Sequence, residues 1–422
     1  MSLIKKRNTI APAEGNTFFE TLFEICTYLL LTGYFLFYDN RSLQLVFVCI
    51  GLAGSALLFF SKAYLSKLKL PLNTIWYLIF FVLAELSALW AHSPENAANS
   101  YFRLMIIMLV IGLGITQYID NVIQVERIIK IFVFASLTFS VAQFLFTPIS
   151  NLTNGYLGSS IGGNNTNTFG YIVTIAAIAS FFFAYIKNLK SYYFFTIFSI
   201  ICCFLSSSRK SLIVTFVGIF LLILFSHKKK NRFAHLLVGV TLAFLVFILM
   251  FEDEVLYNIV GERFESMFDF FLVGNTSREG SLSLRTYFIE FAKILLKEKP
   301  VLGHGFANFV TIVDSESNLS MGYSAHNNYW EILADLGVVG FIIYYWFYFF
   351  LFIKFIIKMF KEKDNEILAL ALTLLICQFA FEYGLITMAS FYPQIVMSLI
   401  YVCSYASNSK RKFHYSPGNN VR

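Results

Sequence analysis

Apolar stretches of similar length recur along this chain. Runs of roughly 17 to 25 residues, rich in Phe, Ile, Leu and Val, alternate with short polar connections, and that is the length a helix needs to cross a bilayer. The runs fall at 18–38, 43–60, 72–91, 103–118, 128–147, 168–186, 191–206, 210–226, 233–251, 329–353, 366–383 and 387–406. The pattern predicts an all-α polytopic membrane protein of about 12 transmembrane helices. Residues 1–251 carry spans one to nine, 252–328 form the longest polar stretch, 329–406 carry the last three spans and 407–422 form a basic tail.

Within the polar stretch, Leu284, Phe288, Phe291 and Leu295 recur at helical spacing and predict one amphipathic helix over 282–298. Pro300 and the Gly-His-Gly run at 303–305 end it. Such a helix lies on the membrane face or caps the bundle. No half of the chain duplicates the other, and the large loop falls late rather than midway, as an internal two-fold repeat would place it.

Composition agrees with the pattern. Of 422 residues 58% are hydrophobic, 18% aromatic and only 14% charged, with 50 Phe, which excludes an ordinary soluble domain. The first twenty residues are polar and show no cleavage site behind a short apolar core, so no removable signal peptide is expected. The net charge of +7 is no nucleic-acid footprint, because the basic residues gather in particular loops. With the N-terminus inside, Lys5, Lys6 and Arg7, then Lys62, Lys67 and Lys69, then Lys228, Lys229, Lys230 and Arg232, then Lys358, Lys361 and Lys363, and finally Lys410, Arg411 and Lys412 all fall on the cytoplasmic side. Both termini are then cytoplasmic, and three pieces face outward: 91–103, the Gly/Asn-rich 151–170, and 252–328 with its one large extracytoplasmic loop. The six cysteines sit inside apolar runs without metal or disulfide spacing and read as small hydrophobic side chains.

Against that topology a few polar residues stand out. Arg209 and Lys210, in LSSSRKSL, are two adjacent cations on the side where outward loops are poor in them. A single one would read as snorkelling to lipid headgroups; two together point to a function. Arg285 lies beside the apolar face of the amphipathic helix, with Glu290 or Glu279 as ordinary ion-pair partners and Arg278 and Arg263 as rival cations. His326 stands where the loop meets span ten, ahead of Asn327, Asn328, Tyr329 and Trp330. One reading makes this an interfacial helix cap under an aromatic belt. The other makes His326 a proton-transfer group, since imidazole titrates near neutrality. His304 sits in a turn whose glycines need no chemistry to explain them. Glu85 and Glu382, inside spans three and eleven, need partners. Glu331 and Asp335, one turn apart on span ten, are placed to orient His326 or a substrate.

Together LSSSRKSL at 205–212, LRTYFIEFAKILLKEKPVLGHGFANF at 284–309 and AHNNYWEILADLGVVGF at 325–341 resemble the O-antigen ligase and O-antigen polymerase superfamily of bacterial membrane glycosyltransferases. Weaker echoes are LSALWAHSPENA at 86–97 and GGNNTNTFGY at 162–171. The resemblance implies a GT-C-like multi-pass protein of the bacterial plasma (inner) membrane with its active site facing the periplasm. The donor implied is an undecaprenyl-pyrophosphate-linked glycan and the acceptor a glycan or glycolipid, with membrane lipids around the protein, a chain-length regulator as a partner and no nucleic acid. Carried over, His326 is the general base, Arg209 and Arg285 bind the pyrophosphate with Lys210 beside them, and Asn327 and Asp335 support. Transfer is inverting, with no metal and no cofactor. Arg suits this work because it binds phosphate bidentately and keeps its charge. The chain departs from the family at Lys210, where a small residue is usual. Of the two activities, repeat-unit polymerase is favoured over ligase. A transporter or flippase is the reading from another class, and it would put its charges and broken helices at the membrane midplane. A peptidoglycan-type polymerase fits the motifs less well.

Overall fold

The structure, a computed structural model, describes residues 18–37, 40–65, 67–99, 101–159, 165–226, 231–273, 280–317, 322–362 and 365–412. Lys5, Lys6, Arg7, Lys228, Lys229, Lys230, Arg278, Glu279 and Lys363 lie outside the described residues, as does part of the Gly/Asn-rich loop. Every regular element among the described residues is helical. In chain order they are α1 (Phe18–Leu36), α2 (Arg41–Tyr64), α3 (Leu72–Leu86), α4 (Pro94–Asn99), α5 (Phe102–Tyr118), α6 (Val122–Phe146), α7 (Ile149–Thr153), α8 (Thr166–Phe181), α9 (Tyr192–Leu205), α10 (Arg209–Phe225), α11 (Arg232–Glu252), α12 (Glu254–Leu256), α13 (Glu262–Phe268), α14 (Gly280–Glu298), α15 (Asn308–Ser317), α16 (Asn328–Lys361), α17 (Glu366–Glu382) and α18 (Phe391–Lys412).

A helix occupies each of the twelve predicted stretches, and among the described residues 8 of them are, by length and composition alone, long and apolar enough to cross a membrane. Their burial differs sharply. The span through α8 is 94% buried and forms the middle of the bundle, whereas α11, more apolar still, is 11% buried and turns nearly all its surface outward. Both are apolar on every side, so for α11 the solvent must be lipid.

Charged groups collect at one end of the bundle. Lys62, from the end of α2, donates to Glu20 of α1 at 3.1 Å and also pairs with Asp120, which takes Lys69 at 2.8 Å. Lys187 holds Glu126 of α6 and Glu366 of α17 at 2.9 and 3.3 Å. The start of α10, the end of α17 and the start of α16 meet at the opposite end.

Two expectations change in the 280–340 region. The amphipathic helix is real as α14 and ends before Pro300, but Leu284 is exposed, and Phe288, Phe291 and Leu295 pack with Phe309, Ile312 and Val313 of α15 and with Ala325 and Ala334. This small second core caps the bundle. Span ten, expected as one continuous helix, breaks at Gly337 (φ 63, ψ −164), a conformation essentially reserved for glycine. The Pro300–Gly305 turn fills the break. The amides of Val338 and Val339 donate to the carbonyls of Pro300 and Val301, and those of His304 and Gly305 donate to Ala334 and Asp335. Gly303 and Gly337 let the two backbones touch, since a Cβ on either would sit 2.4 Å from the carbonyl group of Asp335 or Val301. Gly337→Ala is therefore expected to lower the apparent Tm in detergent by roughly 5 °C or more. Gly239→Ala, whose new methyl meets nothing within 4 Å on α11, should leave Tm unchanged or raise it. Equal Tm values for the two variants would refute the interlock.

Candidate active site

The docked turn is clamped from two sides. Fully buried Asp335 accepts from the amides of Ala307 and Phe309 at 2.8 and 2.7 Å, so one carboxylate caps the first turn of α15. From the other side, the segment after α3 reads the same turn. Ser87 Oγ accepts from the Phe306 amide (2.8 Å), Trp90 Nε1 donates to the Leu302 carbonyl (3.0 Å), and Asn308 bonds the backbone of Ser93 in both directions. The 86–97 and 300–309 sequences thus form one scaffold. His304 is part of it, its Nε2 3.0 Å from the Leu295 carbonyl, where burial lowers its pKa.

The 324–331 junction is built as tightly. His326 has φ 47, a left-handed backbone that only neighbouring constraints hold in a non-glycine residue. Those constraints flank it. The Ala325 amide donates to Glu331 (2.7 Å), and Asn327 caps α16 by accepting from the amides of Tyr329 and Trp330 (3.1 and 3.3 Å). Of the two Asn candidates, Asn327 is the cap. Its own Nδ2 is buried and has no partner among the described residues, so one hydrogen-bond donor stands ready beside His326.

Asn328 does different work. Its side chain donates to Tyr345 (2.9 Å) and Glu382, while its oxygen accepts from the amides of Thr387 and Met388 (2.9 and 3.0 Å). Glu382 also accepts from Tyr345, Tyr348 and Gln378 at 2.8, 2.9 and 3.1 Å. The intramembrane acid expected to need a partner thus has several among the described residues, and with Asn328 they tie α16 to α17 and to the turn beyond it. Glu85 has none among the described residues and is only half-buried.

Lys210 is drawn to the same corner. Its Nζ donates to the Phe381 carbonyl at 3.4 Å and lies 5.4 Å from the centre of the Phe381 ring. A Cβ on Gly384 would fall 2.5 Å from that Nζ, so the glycine leaves room for the ammonium. Lys210, the second residue of α10, is thus held at this corner and not spent on headgroups. Lys210 and Arg285 both act electrostatically on His326. Burial first, then the positive charges of Arg285 and Lys210, push the imidazole pKa down from 6.5 to about 4. Arg209 sits one residue away and donates to the Arg263 carbonyl, while Arg263 donates to the Ser207 carbonyl at 3.3 Å and faces the Tyr156 ring.

The structure thus brings His326, Arg285 and Lys210 into one electrostatic neighbourhood, with Asn327 adjacent. Arg209 flanks the group with Arg263, and Asp335 supports the scaffold rather than His326 directly. Glu290 pairs with Lys293 at 2.6 Å and leaves Arg285 to other partners. No group of three or more His, Cys, Asp or Glu residues among those described is placed to hold a metal ion. Sequence reasoning passed over Asn328 and Ser87 as anchors. Each is a polar residue at a helix end next to a Gly-containing or apolar run, a signal shared with many simple caps.

Residues 194–345 match the family model described as O-Antigen ligase. The matched segment runs from α9 into α16 and contains Arg209, Lys210, Arg285, His326, Asn327 and Asp335. It supports the resemblance to the O-antigen ligase and polymerase superfamily. No curated protein matches the chain.

Proposed function

From this O-antigen-ligase-like segment and the cluster it encloses, we propose that the protein is a metal-independent, inverting glycosyltransferase of the bacterial plasma membrane. It polymerises surface-polysaccharide repeat units carried on undecaprenyl pyrophosphate, on the outer side of the membrane. The observation that carries this reading is that the matched segment 194–345 contains His326, Arg285 and Lys210, whose charges act on one another at the end of the bundle opposite the paired acids and bases. His326 takes the proton of an acceptor sugar hydroxyl as its oxygen attacks the anomeric carbon from the face opposite the leaving group. The bond from that carbon to the pyrophosphate oxygen breaks, and the lipid pyrophosphate departs with the electron pair. Arg285, Lys210 and, beside them, Arg209 balance the charge that develops on it, the task a divalent cation performs elsewhere. Single displacement at one carbon inverts its configuration.

Other features support the same reading. A cavity of about 420 Å³ between α10 and α11 is lined by Phe216, Phe220, Ile223, Leu236, Val240 and Phe244. It lies further along the helix that begins with Arg209 and Lys210, where a prenyl tail anchored at the cations would run. The transporter reading asks for charges and helix breaks at midplane. Here the buried acid Glu382 ends α17 and bonds Asn328 at the start of α16, beside His326.

The test uses detergent-purified protein, a synthetic undecaprenyl-pyrophosphate oligosaccharide and EDTA. A ladder of longer lipid-linked glycans is the expected product. His326-dependent transfer to added lipid A–core without a ladder would make the protein a ligase instead. Neither product from folded protein supplied with its own repeat unit would overturn the transferase reading.

A further inference from the structure

A second cavity, of about 430 Å³, opens beside the His326 junction, between the α4–α5 corner, α15 and the turn after α17. Its polar lining is Asn96, Tyr101, Thr311, Asp314 and Glu331, and no Lys or Arg among the described residues lines it. The walls are tied together, since Asn96 Nδ2 donates to Thr311 Oγ1 at 2.7 Å and Asp314 accepts from the Gly322 amide at 3.1 Å. Glu331 is the decisive member. It is only 4% exposed, and one of its oxygens accepts from the Ala325 amide, while the other has no hydrogen-bond partner among the described residues. Its carboxyl lines the cavity and is open to the hydroxyl groups of a ligand.

The chemistry of this lining selects its ligand. Carboxyl, amide and hydroxyl groups with one tyrosine match the hydroxyls and the apolar ring face of a sugar. A lining with no Lys or Arg among the described residues offers phosphate no counter-charge. The volume lies in the range of small-molecule sites, about 300–1,000 Å³. The peptide that Glu331 holds, Ala325 N–H, immediately precedes the left-handed His326, so a ligand on Glu331 bears on the backbone that aims the imidazole.

We propose that this cavity is the acceptor subsite, binding neutral sugar residues of the acceptor glycan through their hydroxyls, with Glu331 as its principal positioning residue. The assignment of the bound sugar as acceptor rests on the transferase reading above. The cation cluster then takes the anionic pyrophosphate, and the cavity of carboxyl, amide and hydroxyl groups takes the uncharged glycan.

The experiment is calorimetric titration of the full-length protein in detergent with two probes. One is inorganic pyrophosphate; the other is the soluble oligosaccharide released by mild acid from the source cell's own lipid-linked glycan. Glu331→Gln keeps the size of the side chain and an acceptor for the Ala325 amide. It is expected to weaken the oligosaccharide about tenfold and leave pyrophosphate unchanged. Val310→Trp, which fills the cavity from α15, should abolish oligosaccharide binding and spare pyrophosphate, while Arg285→Ala should do the reverse. Oligosaccharide binding that is absent in the wild type, or unmoved in both cavity variants, overturns the subsite. A protein that elongates lipid-linked glycan while the cavity variants bind as wild type refutes the subsite alone. Glu331-dependent binding in a protein that transfers nothing refutes the transferase reading and leaves a sugar site.

Discussion

Replacing His326 with alanine is expected to lower glycan transfer by about 10²- to 10⁴-fold, the usual worth of a positioned general base, with little change in apparent Tm. The side chain is half-buried at a loop-to-helix junction, and its neighbours, not its ring, hold the backbone in place. Ladder formation by His326→Ala at the wild-type rate would remove the residue from the chemistry and return it to the role of an interfacial cap.

The same residue sets a pH signature. Burial, Arg285 and Lys210 hold its pKa at about 4, so the free enzyme carries a neutral imidazole across the physiological range and loses its base only as pH falls through that value. The acid limb of kcat/KM for the donor should then lie near pH 4 rather than near 6.5. Once a pyrophosphate sits on the two cations, their repulsion of an imidazolium is offset and the pKa rises, though not fully, because burial remains. The acid limb of kcat/KM for the acceptor, measured at saturating donor, should therefore fall at higher pH. Donor binding would in this way make His326 a stronger base when the acceptor hydroxyl needs one. Coincident limbs would mean that the pyrophosphate does not sit on Arg285 and Lys210.

What was legible in the chain divides along physical lines. The helices at the twelve apolar stretches, the amphipathic α14 and its end before Pro300 rest on local periodicity and turn chemistry, and they stand where the pattern puts them. Lys210 and His326 drew notice because each breaks a local rule, a second cation beside Arg209 at a helix start and an imidazole at a loop-to-span junction, whereas Arg285 was singled out only by the resemblance. The interlock of Gly303 with Gly337 was not. Gly337 lies in a run that otherwise reads as uninterrupted helix, and only the carbonyls of Pro300 and Val301, far off in sequence, make a break there favourable. Asp335 was expected near His326 by helical spacing, yet its carboxylate faces the amides at the start of α15. Glu382 could be flagged as needing partners, but Asn328, Tyr345, Tyr348 and Gln378 come from two helices whose facing sides no single stretch encodes.

Arg285→Ala is expected to lower turnover by about 10²- to 10³-fold, the cost of removing one preorganised donor from a developing oxyanion. Arg285→Lys should recover only part of this, because an ammonium keeps the charge and loses the planar fork that grips two phosphate oxygens at once. Lys210→Met should cost less, since its Nζ also bonds the Phe381 carbonyl and shares its charge with the Glu382 corner. The double variant should fall short of the product of the two single effects, because both charges act on one leaving group. A purely structural arginine would predict none of this graded order. It would also leave the acid limb of donor kcat/KM where it is, whereas loss of a cation that repels the imidazolium must move that limb upward from pH 4. Slow turnover in Arg285→Ala with an unmoved limb would place the guanidinium outside the reach of His326, and the leaving group would then have to be held by Lys210 and Arg209 alone.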